Sequence, residues 1–264
     1  MSPTQTRPAV HAGAGQVLTG ALAFEWTKLW SVRATYGTLL LGAALVAALG
    51  AVLGASASAS AANGYDVTQP APHLAAACLQ LGQVAVVLLA ANVITAEYAS
   101  GTMSTTVLAV PRRGLVLLAK TLLASGVSFA LGVVLVLVGT GVVAPLMGDV
   151  GDFTGTQLAA TAAGGGGYCA LLAATTLGVG TATRSTAATL TGVVIALLLA
   201  PQVLSGLSLQ WLVDTSTYLP GAAALPLMTQ VDTPYGLGTA LIVLILWALT
   251  GLATGWARLR YQDA

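Results

Sequence analysis

Long uncharged stretches separate the charged residues of this chain and predict its main elements. Six of these stretches are at least 25 residues long: 34–65, 67–96, 121–148, 153–183, 185–213 and 233–257. A helix rises about 1.5 Å per residue, so about 20 apolar residues cross the hydrocarbon core of a bilayer. The pattern therefore predicts six transmembrane helices, at about 36–55, 74–96, 117–141, 157–180, 185–204 and 236–256.

The apolar stretches favour helices over the strands of a membrane barrel. Barrel strands alternate apolar and polar residues over about 10 positions, whereas runs such as 131–143 and 192–204 are continuously apolar. Lys120 falls near the start of the third predicted helix, where a lysine is expected to extend its ammonium group to the membrane surface. The segment 205–235 is apolar but interrupted by prolines, which predicts a partly re-entrant or interfacial segment.

Composition agrees with a membrane protein. The chain is 56% hydrophobic and 6% charged, whereas soluble domains carry about a quarter charged residues. Its net charge of +1 provides no electrostatic reason for nucleic-acid binding. The two cysteines, Cys78 and Cys169, fall inside predicted spans and are interpreted as buried small side chains. The fold class predicted is therefore an all-α integral membrane protein.

The basic residues predict the orientation of this protein. With a cytoplasmic N-terminus and six spans, all nine Lys and Arg fall in cytoplasmic segments, and the outer loops carry only aspartates. This distribution follows the positive-inside rule and places both termini in the cytoplasm. Cleavage of the first span as a signal peptide is the alternative, because 54–62 is rich in small residues. The run is too long for a signal sequence, which favours retention.

The N-terminal region divides into two parts. Residues 1–17 are predicted to be a disordered cytoplasmic tail, and 18–264 to form a single transmembrane domain. Within that domain, 18–35 is predicted to be an amphipathic elbow helix on the membrane surface. Its apolar face includes Trp26 and Trp30, and Glu25 and Lys28 are placed on the other side. The alternative is that this helix simply extends the first span.

The predicted membrane interior lacks residues that drive transport or catalysis. No Asp, Glu or His lies at the centre of a span, and the chain has no phosphate-binding G-x-x-x-x-G-K-[ST] motif. Gln80, Gln83 and Asn92 provide mild polarity in the second span. They are interpreted as lining a transport pathway or, alternatively, as forming interhelical hydrogen bonds.

The segment between the second and third spans carries a more specific pattern. An acidic residue ends one span, Gly-Thr and Pro-Arg-Arg follow, and a lysine opens the next span; these residues are Glu97, Gly101, Thr102, Pro111, Arg112, Arg113 and Lys120. This pattern resembles the cytoplasmic loop of ABC-2 type ABC transporter permeases. The segment 24–40, with its Glu-Trp-Thr-Lys, is similar to the elbow helix of the same family.

The resemblance implies a permease subunit without enzymatic activity of its own. In that family, ATP and Mg are bound by a separate ABC-type ATPase subunit, and a second permease copy completes the pathway. A coupling helix at about Gly101 to Leu108 would receive the motion of the ATPase, with Pro111, Arg112 and Arg113 following it. The expected function is export of a hydrophobic or amphiphilic compound across the bacterial cytoplasmic membrane, in contact with lipid. The alternative is a non-transporting anchor or assembly subunit.

Overall fold

The computed structural model describes residues 14–67, 69–101, 113–207, 209–229 and 235–261. Across these ranges the secondary structure is helical, without strands. The helices are α1 (Ala14–Ser31), α2 (Arg33–Ala62), α3 (Ala71–Ser100), α4 (Arg113–Met147), α5 (Gly155–Thr183), α6 (Thr186–Val194), α7 (Ala200–Gly206), α8 (Gln210–Ser216), α9 (Pro220–Thr229) and α10 (Leu237–Tyr261). A π-helical segment, Ile195–Leu199, joins α6 to α7, and a 3-10 turn, Gly148–Gly151, follows α4.

Six of the described helical stretches are long and apolar enough to cross a membrane, which confirms the number and order of the predicted spans. They are Arg33–Ala62, Ala71–Ser100, Gly114–Gly151, Gly155–Thr183, Thr186–Gly206 and Leu237–Tyr261. Several extend past the predicted ends because an uncharged gap marks only the apolar part of a helix. The small residues at 54–62, for example, continue α2 to Ala62. The protein is therefore a helical multi-pass membrane protein.

The first two helices are separate, which excludes the alternative of one continuous helix. Val32 lies between them in an extended conformation (φ −93°, ψ 121°). Hydroxyl groups of α2 then satisfy the last carbonyls of α1: Thr35 Oγ1 donates to Leu29 O at 2.7 Å, and Tyr36 Oη donates to Trp30 O at 3.1 Å. Because α1 begins at Ala14, the end of the predicted tail is helical. Residues 1–13 lie outside the described residues.

The centre of the bundle is formed by α3, α4 and α5, with α10 packed on α5. Glycines bring the backbones of α5 and α10 together: a Cβ built on Gly178 would lie 2.2 Å from the carbonyl carbon of Gly251. Three glycines of the run 164–167 likewise allow close packing: Gly164, Gly165 and Gly166. A Cβ on Gly164 would lie 2.3 Å from Leu227 O of α9. Small residues at such crossings are typical of membrane helices.

The segment between α7 and α10 packs back into the bundle through α9. Seven of its residues are buried: Pro220, Gly221, Ala223, Ala224, Pro226, Leu227 and Met228. Two hydrogen bonds hold the connection between α8 and α9. Trp247 Nε1 of α10 donates to Tyr218 O at 2.9 Å, and Tyr235 Oη, which precedes α10, donates to Thr217 O at 2.5 Å. Irregular backbone near a membrane is stable when it is packed on protein in this way.

Candidate functional site

Four charged side chains from three helices meet at one end of the bundle. Lys120 of α4 donates through Nζ to Glu25 Oε1 of α1 and to Glu97 Oε1 of α3, each at 2.6 Å. Lys28 of α1 also donates through Nζ to Glu97 Oε1. We call Glu25, Lys28, Glu97 and Lys120 the charge cluster. It balances two positive charges with two negative ones.

Three members of the charge cluster are buried. Lys120 is 0% exposed, Glu97 2% and Glu25 5%, whereas Lys28 reaches the surface with 29% of its side chain exposed. Apolar residues of the same three helices, with one each from α5 and α10, form a buried core cluster: Leu29, Leu89, Val93, Ile94, Leu117, Leu123, Ala124, Leu177 and Leu259. Taking a charge out of water is costly unless an opposite charge compensates it. Each buried member of the cluster therefore depends on the others.

Lys120 does not reach the membrane surface, so that prediction was wrong. Its ammonium group is held by two carboxylates and approaches a third acceptor, Val93 O, at 3.5 Å. A lysine extends its stem towards water only where no nearer anion compensates its charge. Here the carboxylates of Glu25 and Glu97 lie inside the bundle, and the side chain turns to them.

Glu25 also lies on the opposite side of α1 from the predicted one. It is buried, while Trp26 is 51% exposed. Residues three and four apart share a helical face, which places Glu25 beside Leu22 and Leu29. A carboxylate on an apolar stripe indicates a buried cation on a neighbouring helix, and this is the signal in the sequence that identifies the cluster. Glu97, from the segment between the second and third spans, therefore lies in one cluster with Glu25 and Lys28 of the predicted elbow helix.

The charge cluster lies where α3 runs into the segment joining it to α4. Gly101 ends α3 in the left-handed conformation (φ 69°), which favours glycine. Thr102, Pro111, Arg112 and the predicted coupling helix lie outside the described residues. Helix α4 begins at Arg113. The ring of Trp256 packs against Gly114, so the end of α10 reaches this region too.

A second contact at the same end joins α3 to the connection between α5 and α6. The Arg184 guanidinium carbon lies 5.3 Å from the centre of the Tyr98 ring, within the range of a cation–π interaction. One turn earlier on α3, the hydroxyls of Thr95 and Thr186 share a hydrogen bond of 2.6 Å. The last turn of α3 therefore contacts α1 and α4 on one side and the α5–α6 connection on another.

Gln80 and Gln83 form hydrogen bonds between helices. Tyr168 Oη of α5 donates to Gln83 Oε1, and Gln83 Nε2 donates to Gln80 Oε1 at 3.0 Å. Gln80 Nε2 in turn donates a hydrogen bond to Gly221 O of α9, at 3.2 Å. Gln83 is fully buried. Of the two interpretations made from the sequence, these contacts support interhelical hydrogen bonding.

Asn92 lies elsewhere, beside the charge cluster. It is half-buried and lines a cavity of about 180 Å³ between α1, α2 and α3. The polar side chains around this cavity are Glu25, Lys28, Thr35, Thr38 and Asn92. Asn92 is therefore a neighbour of the cluster and is separate from the Gln80–Gln83 chain.

No group of three or more His, Cys, Asp or Glu side chains in the described ranges is arranged to hold a metal ion. Cys78 and Cys169 are buried free thiols, as predicted. Comparison of the sequence with protein-family models and with curated proteins finds no match.

Proposed function

We propose that this chain is the membrane-spanning permease subunit of an ATP-binding cassette exporter, powered by a separate ATPase subunit. Three observations support the proposal. The chain has six apolar helices long enough to cross a membrane. It lacks the lysine-containing loop with which P-loop ATPases hold phosphate. The segment 97–120 carries the acidic, Gly-Thr, Pro-Arg-Arg and lysine pattern that resembles the ABC-2 type permease loop.

The charge cluster is the observation that carries the proposal. Glu97 lies four residues before the segment 101–112 and is tied to α1 through Lys28 and to α4 through Lys120. Removing one partner of a buried ion pair costs about 3–5 kcal/mol, so an intact buried pair resists being pulled apart. A push on segment 101–112 would therefore move α1, α3 and α4 together instead of bending one helix. This is the property required of the point where an ATPase delivers its motion.

The remaining parts of the proposal follow from this assignment. Segment 97–113 would dock the ATPase on the cytoplasmic side, and both termini would face the cytoplasm. Helix α1 would lie at the cytoplasmic surface of the bacterial membrane as the elbow helix, with Trp26 towards lipid. A second permease copy would complete the pathway, and the cargo would be hydrophobic or amphiphilic.

The first test is the composition of the native complex. The full chain, carrying an affinity tag, is expressed in its own host, purified in mild detergent and analysed by mass spectrometry. We expect a protein with P-loop motifs to co-purify, and the complex to hydrolyse ATP. Absence of such an ATPase from complexes that retain the folded chain would contradict the proposal.

The second test separates a permease from a passive anchor. ATP hydrolysis by the complex in lipid nanodiscs is compared with hydrolysis by the isolated ATPase. For a permease, the two rates differ, and Glu97→Gln returns the rate of the complex to that of the isolated ATPase. Asp149→Asn is the matched control, because Asp149 is exposed and follows the far end of α4. An anchor predicts equal rates with and without the chain, and no effect of Glu97→Gln.

A further inference from the structure

An apolar groove runs along the bundle between α1, α2 and α4. Its volume is about 620 Å³. Helix α1 contributes Trp26 and Trp30, α2 contributes Leu39, and α4 contributes a stripe from Leu122 to Leu135. We call it the α1–α4 groove. All of its lining side chains are apolar or aromatic, so its occupant must be apolar as well.

The α1–α4 groove is lined by apolar residues over several turns of α4. Leu122 and Leu135 lie 13 residues apart on α4, which is about 20 Å along a helix. This length matches an extended hydrocarbon chain, and the apolar lining along it suits one.

The floor of the groove is formed by small residues of α4. Gly126 and Ala130 lie between the larger Leu122 and Val134 at intervals of one helical turn. A Cβ built on Gly126 would meet no atom within 4 Å. The glycine is therefore not required by close helix packing. Its effect is to keep the groove open.

The position of the groove identifies the source of the chain. The groove lies on α2 and α4, two of the helices that cross the membrane, where the surrounding solvent is lipid. The N-terminal residues 1–13 are an unsuitable occupant, because they include Thr4, Gln5, Thr6, Arg7 and His11. An acyl chain of a membrane lipid matches the apolar lining and its length.

A cation lies at the start of α2, ahead of the residues of that helix that line the groove. Arg33 opens α2 and is exposed, and none of the ion pairs found in the described residues includes it. It precedes Leu39 by six residues, about 9 Å along a helix. Trp26, which lines the groove, is half-exposed, and tryptophans favour the headgroup layer. An anionic headgroup can therefore meet Arg33 while its acyl chain occupies the groove.

We propose that the α1–α4 groove binds one acyl chain of an anionic phospholipid, whose phosphate pairs with Arg33. This site goes beyond the proposed transport function and does not depend on it. The lipid would fill the space between α1 and the bundle. It would thereby hold α1 in the position that the charge cluster needs.

Photo-crosslinking of lipid to the purified full chain tests the site. The probe is phosphatidylglycerol with a diazirine in one acyl chain, and adducts are located by mass spectrometry. We expect adducts along 122–135 to exceed those at the outward-facing Leu246 and Leu249 of α10 by about tenfold. Gly126→Leu fills the groove and lowers the adducts to the α10 level. Gly141→Leu is the matched control on α4, since a Cβ there also meets no atom within 4 Å.

Further variants make the result decisive. Arg33→Gln is expected to abolish the preference for phosphatidylglycerol over phosphatidylcholine and to leave labelling by the acyl chain in place. If Gly126→Leu aggregates in size-exclusion chromatography, Ala130→Leu replaces it. Equal labelling of the groove and α10 would overturn the site in favour of ordinary surrounding lipid. Disulfide-linked dimers of Gly126→Cys, together with absent labelling, would overturn it in favour of a second copy in the groove.

Discussion

Replacing Lys120 by methionine is the sharpest test of the charge cluster. Methionine preserves the length and apolar character of the stem but removes the ammonium group. Glu25 then loses its ion-pair partner, whereas Glu97 keeps Lys28. The carboxylate of Glu25 is 5% exposed and cannot be compensated by water. Breaking a buried pair on one side destabilises a protein by about 3–5 kcal/mol, and we expect Lys120→Met to fall in this range.

The double variant makes the physical reason measurable. In Lys120→Met, the additional change Glu25→Gln removes the stranded charge. The Lys28–Glu97 pair remains in place. We therefore expect Glu25→Gln to recover part of the loss, so that the two changes are non-additive by about 1–3 kcal/mol. Leu118→Met is the control, because Leu118 is 44% exposed on the same helix; an exposed substitution of this kind changes stability by about 0.5 kcal/mol or less.

The assay is reversible unfolding in mixed micelles. The purified protein is titrated with sodium dodecyl sulfate, and the fraction folded is followed by tryptophan fluorescence. Salt distinguishes this buried cluster from a surface one, because screening acts mainly on exposed charges. The free-energy difference between Lys120→Met and the parent is expected to persist at high salt. The reasoning is refuted if Lys120→Met is as stable as Leu118→Met, or if the two changes in the double variant add.

Two further predictions concern the packing of α5. Tyr168→Phe removes the hydroxyl donor to the fully buried Gln83. It is expected to lower the free energy of unfolding by about 1–3 kcal/mol in the same titration. An unchanged unfolding midpoint would contradict the hydrogen bond. Gly164→Ala places a Cβ 2.3 Å from Leu227 O and should destabilise, whereas a Cβ on Gly167 meets nothing within 4 Å. Gly167→Ala should therefore stabilise by up to about 1 kcal/mol through helix propensity, and equal effects at the two glycines would contradict the predicted difference in packing.

The spans were predictable because lipid imposes a strong constraint on sequence. A crossing helix needs a long uncharged run, and this chain has one for each of the six stretches. Helix α9 could not be predicted from the length of an apolar run. Its ten residues, Pro220–Thr229, are too few to cross a membrane. The prolines in the region indicated irregular backbone, but only the packing on α3, α5 and α10 shows that the helix is buried.

The partners of the polar side chains depend on the register between helices. Gln80 and Gln83 lie three residues apart, which places them on one helical face, and their hydrogen bond agrees with this spacing. The contact of Gln83 with Tyr168 joins residues 85 positions apart. Local periodicity cannot provide such a pairing, because rotating either helix by one residue would direct the side chain elsewhere. The same limit explains why Lys120 was expected at the membrane surface.

Helix α3 takes part in polar contacts along its length. Gln80 and Gln83 tie its middle to α5 and α9, while Thr95 and Tyr98 contact the α5–α6 connection. Glu97 joins its last turn to α1 and α4. A helix that is hydrogen-bonded to its neighbours along its length is expected to move as a unit instead of bending. Under the proposed function, motion received beside Glu97 would therefore reach α9 at the far side of the bundle through α3, without a second ATPase contact there.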